Sequence, residues 1–170
     1  MLNSTVCLYD GSPFYPNSDI LWTYAEEEKF NFFGTSAKYI DALSKFKNNI
    51  SEKFELKNLE TIGSTGSPLV HESFDYVYNN IKKDIHLASL SGGTDIVGCF
   101  VGGNPISPVY RGEIQGPILG MDVRVFDDDG NSINNKQGEL VCIKSFPTMP
   151  IEFWRDNGEK YHNAYFDKYK

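Results

Sequence analysis

The chain has 170 residues, of which 40% are hydrophobic and 14% aromatic, and it carries a formal net charge of −7. This length and composition predict a folded protein with a sizeable core and exclude a disordered chain. The acidic balance argues against nucleic acid and against an anionic membrane as partners, because neither attracts an acidic surface.

The first hundred residues alternate between strand-like and helix-like patterns. Apolar runs predict buried strands at residues 5–9, 30–33, 59–62 and 85–90, and Gly34 is expected to stop the second of them. Helical spacing of apolar residues predicts helices over 19–29, from a cap at Thr35 or Ser36 to Phe46, and through 74–81. Strands and helices at this spacing predict βαβ units, a parallel sheet and right-handed crossovers.

The composition changes near Gly102, where glycine and proline become frequent. Short strand-like runs at 121–126 and 139–143 flank the polar stretch 127–131, which predicts a hairpin-type loop. A calcium loop is excluded there, because Val125 would occupy the first ligand position. We therefore predict an α/β fold in which residues 1–101 form a parallel-sheet subdomain and residues 102–170 form a small β-rich, barrel-like subdomain.

Three cysteines, Cys7, Cys99 and Cys142, lie far apart in the chain. Their odd number and the absence of a basic, apolar leader after Met1 predict reduced thiols in the cytoplasm. Cys7 and Cys142 lie in apolar runs and are expected to be small core residues. The three histidines lack metal-ligand spacing, and no apolar run approaches the roughly 20 residues of a membrane span.

Two stretches rich in glycine and hydroxyl side chains, 63–69 and 89–95, follow predicted parallel strands. Because carboxyl ends of parallel strands share one edge of a sheet, we expect both stretches to border one ligand site. Backbone N–H groups and the helix start after Pro68 favour an anion, and Thr94 and Asp95 offer a hydroxyl and a carboxylate to a phosphate or its magnesium ion. The alternative is a pair of loops that only close strands.

Other nucleotide and hydrolase signatures are missing from the sequence. There is no Gly-Lys-Ser/Thr phosphate loop, no G-x-G-x-x-G after the first strand and no G-x-S-x-G nucleophile elbow. The two stretches therefore predict a nucleotide or anion site without its own lysine, nucleophile or general base.

The ordered motifs at 63–69, 91–95 and 138–141 resemble consecutive motifs of the AMP-forming acyl-CoA synthetases of the adenylate-forming superfamily. The runs 101–105, 109–115 and 164–166 are most similar to the members that activate acetoacetate. The resemblance covers essentially the whole chain. It implies that ATP adenylates a carboxylic acid with release of pyrophosphate, and that the acyl group then passes to coenzyme A with release of AMP.

The resemblance also implies roles for single residues. Gly66, Ser67 and Pro68 would border the adenine and ribose, Thr94 would contact the α-phosphate as the candidate catalytic residue, and Asp95 would stand where the family's glutamate helps to hold Mg²⁺. The further candidate nucleotide-binding positions are Ser89, Leu90, Ser91, Gly92 and Gly93.

The sequence departs from the family motif at several of these positions. Ser91 replaces an aromatic residue, and Asp95 is one methylene shorter than glutamate. Gly92 stands where acetate-specific relatives carry tryptophan, which leaves room for a larger acid such as acetoacetate. The resemblance puts the family's phosphate loop, a Ser/Thr/Gly stretch ending in Pro-Lys, well upstream. Residues 63–69 mimic that loop, but Leu69 stands where its lysine would be, and a leucine cannot neutralise phosphate.

The family's ribose-binding Gly-Asp would come soon after Lys170, and its C-terminal domain with the adenylation lysine would come later still. The resemblance therefore implies that the chain is a central part of the large N-terminal domain of a longer enzyme. We expect the chain alone to be inactive or nearly so, because positioning and neutralising the phosphates supply most of the rate in such chemistry. A non-catalytic nucleotide-binding or scaffold protein is the alternative. A flavodoxin-like signalling domain would need an acidic cluster that Asp10 alone does not provide. Exposed sheet edges predict self-association.

Overall fold

The computed structural model of the protein describes residues 3–169. The chain forms two compact units, which divide between Leu87 and Ala88. The subdomain boundary predicted at residues 101 and 102 stays a prediction. Within the described range, no helix is long and apolar enough to cross a bilayer.

The first unit is built from alternating helices and strands. In chain order they are helix α1 (Ile20–Glu27), strand β1 (Phe32–Ser36), helix α2 (Ala37–Lys45), a 3₁₀ turn (Ile50–Glu52), strand β2 (Thr61–Thr65), helix α3 (His71–Tyr76) and a π-helical turn (Val77–Ile81). Strand β3 (His86–Ser89) begins in this unit and continues past the division after Leu87. The sheet order is β1-β2-β3, and β1 runs parallel to β2 with Phe32 opposite Thr61 and Ser36 opposite Thr65. The predicted parallel α/β architecture is therefore confirmed.

Helix α2 illustrates how this sequence forms its elements. The Ser36 hydroxyl accepts a hydrogen bond from the backbone N–H of Tyr39 (3.2 Å), which caps the helix as predicted. Ile40 and Leu43 then face the core and are fully buried. The apolar spacing also predicts Phe46 on this face, but Phe46 follows the last helical residue and its side chain is exposed. Its ring packs edge-on against that of Phe14 at 5.5 Å.

The strand predicted at residues 5–9 is wrong. Residues 3–10 form no strand, and the side chains of Val6 and Leu8 are 76% and 84% exposed. Apolar alternation favours a strand, but a strand forms only where a neighbour completes its hydrogen bonds, and the sheet begins at β1. Cys7 is accordingly only half-buried and is not a core residue.

Strand β1 also passes through Gly34, which was expected to end it. Gly34 lies opposite Gly63 within the parallel ladder between β1 and β2. A Cβ at Gly63 would lie 2.5 Å from the ring of Phe32, so the absence of a side chain allows that ring to cover the sheet. Glycine here serves close packing rather than a turn.

The second unit is rich in short antiparallel strands. Strands β4 (Ser91–Gly93), β5 (Gly98–Gly102) and β6 (Gly116–Pro117) form one sheet, strands β7 (Val123–Phe126) and β8 (Glu139–Cys142) form a second, and helix α4 (Glu159–Tyr165) follows. The β-rich character is confirmed, as two small sheets rather than a closed barrel over residues 88–169. Helix α4 was not predicted.

The predicted hairpin loop between β7 and β8 is organised by one side chain. Asp127 accepts hydrogen bonds from the backbone N–H groups of Asp129 (3.1 Å) and Asn131 (2.8 Å). The strands pair from Val123 opposite Cys142 to Phe126 opposite Glu139. Cys142 is half-buried rather than in the core, because it lies on this two-stranded sheet.

Candidate functional site

The stretch predicted as a loop at 63–69 belongs partly to strand β2, which ends at Thr65. The turn begins at Gly66, whose φ of +84° suits glycine and whose α-carbon has open space around it. Gly66 and Pro68 are exposed, and Ser67 is half-buried. Leu69 is buried, so the last position of this stretch presents no charge.

The stretch 89–95 is more ordered than predicted, because Ser91–Gly93 forms strand β4. Gly92 lies opposite Cys99 and Gly93 opposite Gly98, and the register shifts by a bulge between Ser91 and Gly92. Ser91 and Gly92 are exposed, whereas Leu90 is half-buried and Ser89 is buried.

Gly92 is needed for the pairing of β4 with β5. A Cβ at this position would lie 2.1 Å from the carbonyl oxygen of Gly98 and 2.4 Å from the α-carbon of Cys99. The backbone of β5 thus fills the space that a side chain would need. The expected role of Gly92 in leaving room for a larger acid stays a prediction.

Thr94 and Asp95 lie on an exposed turn that follows β4. The turn closes through a hydrogen bond from the backbone N–H of Val97 to the carbonyl oxygen of Thr94 (3.3 Å), and Val97 has a φ of +49°. The hydroxyl of Thr94 and the carboxylate of Asp95 therefore occupy one short, tightly bent segment of the second unit.

The two oxygens of the Asp95 carboxylate have different neighbours. Its Oδ2 accepts a hydrogen bond from the phenol hydroxyl of Tyr165 at the end of α4. Its Oδ1 lies over Gly93, where an added Cβ would come within 2.2 Å of it. A residue with a side chain at position 93 would displace the carboxylate from this orientation.

The same hydrogen bond sets the protonation of both groups. It lowers the pKa of Asp95 below the ordinary value. Burial acts in the opposite direction, and the backbone N–H groups of Asp95 and Ile96 add to the lowering. The hydrogen bond also raises the pKa of Tyr165 to about 12. At neutral pH the carboxylate is charged and the phenol keeps its proton.

Sequence reasoning missed Tyr165. The run 164–166 was noted for its resemblance to the family, but nothing in its spacing indicates that the hydroxyl meets Asp95, which is 70 residues away in the chain. A contact over this separation depends on the tertiary fold of the second unit.

This arrangement fits a magnesium–nucleotide complex better than a free metal ion. Over residues 3–169, no group of three or more His, Cys, Asp or Glu side chains could hold a metal on its own. Mg²⁺ in phosphate chemistry commonly uses one or two carboxylates together with substrate phosphates. One exposed, charged carboxylate beside one exposed hydroxyl meets that need.

Comparison with known proteins places these features in a family. No protein-family model matches the chain. The chain is 54% identical to an acetoacetyl-coenzyme A synthetase of Rhizobium meliloti over 169 residues, which cover 99% of this chain and 26% of that protein. It is 46% identical to the acetoacetyl-CoA synthetase of Gallus gallus over 167 residues, with 98% and 25% covered.

Solved structures agree with the sequence matches. The acetoacetyl-CoA synthetase of Streptomyces lividans superposes with a TM-score of 0.87 at 40% identity, over 95% of this chain and 26% of that one. An anthranilate CoA ligase in complex with anthranoyl-AMP has a TM-score of 0.73 at 19% identity, over 92% and 28% of the two chains, and shares the fold. The chain spans about a quarter of the length of the relatives it matches. On these matches the chain belongs to the acetoacetyl-CoA synthetase branch of the adenylate-forming family, as its motifs predicted.

Proposed function

We propose that the chain carries part of the nucleotide and acyl pocket of an acetoacetate–CoA ligase. In the first step of the proposed ligase reaction, a carboxylate oxygen of acetoacetate attacks the α-phosphorus of ATP and expels pyrophosphate. The sulfur of coenzyme A then attacks the acyl carbon of the adenylate, forms acetoacetyl-CoA and expels AMP. The observation that carries the proposal is the 54% identity to an acetoacetyl-coenzyme A synthetase over 99% of the chain.

The proposed roles follow the family motif. Thr94 contacts the α-phosphate through its hydroxyl, and Asp95 contributes a charged oxygen to Mg²⁺ held with the substrate phosphates. The exposed turn and the charged state of Asp95 support these roles. The proposed nucleotide-contacting positions are Gly66, Ser67, Pro68, Ser89, Leu90, Ser91, Gly92, Gly93 and Thr94. The anthranoyl-AMP bound by a ligase of the same fold supports an acyl adenylate as the ligand class.

We propose that the chain alone does not turn over. The stretch 63–69 mimics the family's phosphate loop but ends in Leu69, whose buried side chain supplies no positive charge to a phosphate. The purified chain is mixed with ATP, Mg²⁺ and acetoacetate, and pyrophosphate release is followed. Release at the uncatalysed background is expected, and robust turnover contradicts this part of the proposal.

A binding measurement with AMP distinguishes a chain that keeps a nucleotide pocket from one that has only a structural role. Titration calorimetry with AMP should give a measurable affinity, and Thr94→Ala should lower it roughly tenfold because a hydroxyl contact to phosphate is lost. Thr5→Ala is the matched control, since Thr5 is exposed in the segment that forms no strand. Absence of heat with the unaltered chain would favour the alternative, a scaffold that keeps the fold without the ligand.

We further propose a cytoplasmic chain that self-associates. All three cysteines are free, which supports a reducing compartment. Large apolar side chains on the second unit are almost fully exposed, and these are Val97, Ile106, Leu119, Ile151 and Trp154. Exposed apolar surface favours association. Light scattering after size exclusion is expected to give a mass above 19.2 kDa, and a clean monomer contradicts the proposal.

A further inference from the structure

We propose that Tyr165 is a positioning residue that holds the Asp95 carboxylate in the orientation in which it meets a magnesium–nucleotide complex. The inference rests on the proposed function and adds to it a residue outside the strand-and-turn motif. Its basis is the hydrogen bond from the Tyr165 hydroxyl to Asp95 Oδ2. Asp95 is an exposed side chain on a turn, so its carboxylate would otherwise exchange between rotamers in water.

Helix α4 is anchored at its start, which fixes where Tyr165 lies. The Asp156 carboxylate accepts hydrogen bonds from the backbone N–H groups of Lys160 (3.3 Å) and Tyr161 (2.9 Å) in the first turn. The hydroxyl of Tyr161 donates to the carbonyl oxygen of Pro150. The helix is therefore tied to the segment that precedes it before the chain reaches Tyr165.

The ring of Tyr165 is held by aromatic neighbours. Its centroid lies 5.3 Å from that of Tyr161, 5.7 Å from that of Phe153 and 6.4 Å from that of Phe166. Tilted rings at these distances attract each other and restrict rotation. The hydroxyl thus extends from a supported ring, and the hydrogen bond it donates adds a fixed side-chain partner to a carboxylate that otherwise has only the backbone N–H groups of its own turn.

Gly93 and Tyr165 act on opposite oxygens of the same carboxylate. Oδ1 lies against the bare α-carbon of Gly93, and Oδ2 is bonded to the phenol. A neutral donor orients the group without cancelling its negative charge, which a cation in the same place would do. This combination suits a ligand for a divalent cation that must stay charged and correctly turned.

The test measures how much Mg²⁺ strengthens nucleotide binding. The probe is the non-hydrolysable α,β-methylene analogue of ATP, titrated into the chain with and without MgCl₂. Tyr165→Phe keeps the ring and removes the hydroxyl, and we expect it to reduce the Mg²⁺-dependent gain in affinity about fivefold. Tyr169→Phe is the matched control, because it removes a hydroxyl that donates to the backbone carbonyl of Asp127 (3.1 Å).

A second measurement, by NMR spectroscopy, detects the hydrogen bond between Tyr165 and Asp95 directly. With ¹³Cζ-labelled tyrosine, the signal lost in Tyr165→Phe identifies Tyr165, and Asp95→Ala should shift that signal while leaving that of Tyr169 in place. An unmoved Tyr165 signal overturns the inference. The inference is also overturned if Mg²⁺ strengthens binding of the analogue equally in Tyr165→Phe and in the unaltered chain. In that case the proposed function still stands. No Mg²⁺-dependent binding by the unaltered chain overturns both.

Discussion

The two units of the molecule are stabilised in different ways. Of the fully buried apolar residues in the described range, all but Ala88 and Ile96 precede the division at Leu87. In the second unit Ile106 and Leu119 are 91% and 98% exposed. The first unit carries a packed core of its own, and the second has apolar residues without one.

The two units also differ in the size of their cavities. The second unit contains an open cavity of about 880 Å³, whose walls include Phe100, Phe126, Leu140, Phe146 and Met149. A cavity in the first unit has a volume of about 170 Å³ and lies near Ala25 and Leu59. An open cavity leaves the side chains that line it in contact with solvent, in keeping with the few buried apolar residues of the second unit.

Side-chain hydrogen bonds fix at least one loop of the second unit. The Gln115 side chain donates to the carbonyl oxygens of Asn104 and Ser107 (both 2.8 Å) and accepts from the backbone N–H of Asn104 (2.9 Å). Such bonds fix a loop but contribute less than an apolar core does. The difference in buried apolar residues between the two units indicates that most of the stability of the chain comes from the first unit. Thr94, Asp95 and Tyr165 lie in the second.

The largest effect is expected from a pair of leucine truncations. Leu43 in α2 is 0% exposed and Leu140 in β8 is 42% exposed. Leu43→Ala leaves a cavity in the packed core and should lower the free energy of unfolding by about 3 kcal/mol. Leu140→Ala should lower it by less than about 1 kcal/mol, since its side chain is already partly in water. Urea unfolding measures both variants. Similar losses in the free energy of unfolding would contradict the conclusion that the packed core lies in the first unit.

A pair of glycine substitutions tests whether the second unit has any tightly packed part. Gly92→Ala forces the backbones of β4 and β5 apart, because the new methyl group overlaps the carbonyl oxygen of Gly98 at 2.1 Å. We expect a loss of about 2 kcal/mol together with faster amide exchange in both strands. Gly98→Ala is the control, since its nearest atom would be 3.6 Å away, and it should change stability by less than about 0.5 kcal/mol. Equal exchange rates in the two variants would contradict the assignment of Gly92 to strand pairing.

The first unit was predictable because its signals are local. The hydroxyl of Ser36 caps α2, and the apolar spacing of Phe74, Val77 and Ile81 places one buried face on consecutive turns. A strand also needs a neighbouring strand to complete its hydrogen bonds, and the sequence pattern does not indicate whether that neighbour exists. Residues 5–9 have the alternation of a strand but gain no neighbour to pair with.

The candidate site was predictable in composition and not in geometry. The motif around Thr94 and Asp95 could be found from residue types, because phosphate and magnesium chemistry requires hydroxyl and carboxylate groups. The strand pairing of Gly92 and the hydrogen bond from Tyr165 could not, since both join segments through the tertiary fold. Short sheets with few buried residues leave little periodic signal from which to infer such contacts.

The smallest effect concerns a polar network that adds to the core of the first unit. Asp19 accepts hydrogen bonds from the Asn48 amide (2.7 Å) and the Lys53 ammonium group (2.8 Å), and Asn48 is buried. Burial acts to raise the pKa of Asp19, but these two bonds prevail and lower it. A carboxyl whose pKa is lower in the folded state stabilises the fold above its unfolded pKa of about 3.9, and this contribution is lost as the pH falls through the folded value.

Asp19→Asn should therefore lower the free energy of unfolding by roughly 1 kcal/mol at pH 7 and flatten its decline below about pH 4. Asp41→Asn is the matched control, because it breaks an exposed pair with Lys45 (2.6 Å) and should cost less than about 0.5 kcal/mol. Urea unfolding between pH 3 and pH 7 measures both variants. Since Asp19 joins the start of α1 to the buried Asn48, an effect of Asp19→Asn no larger than that of Asp41→Asn would mean that the first unit is stabilised by apolar packing alone.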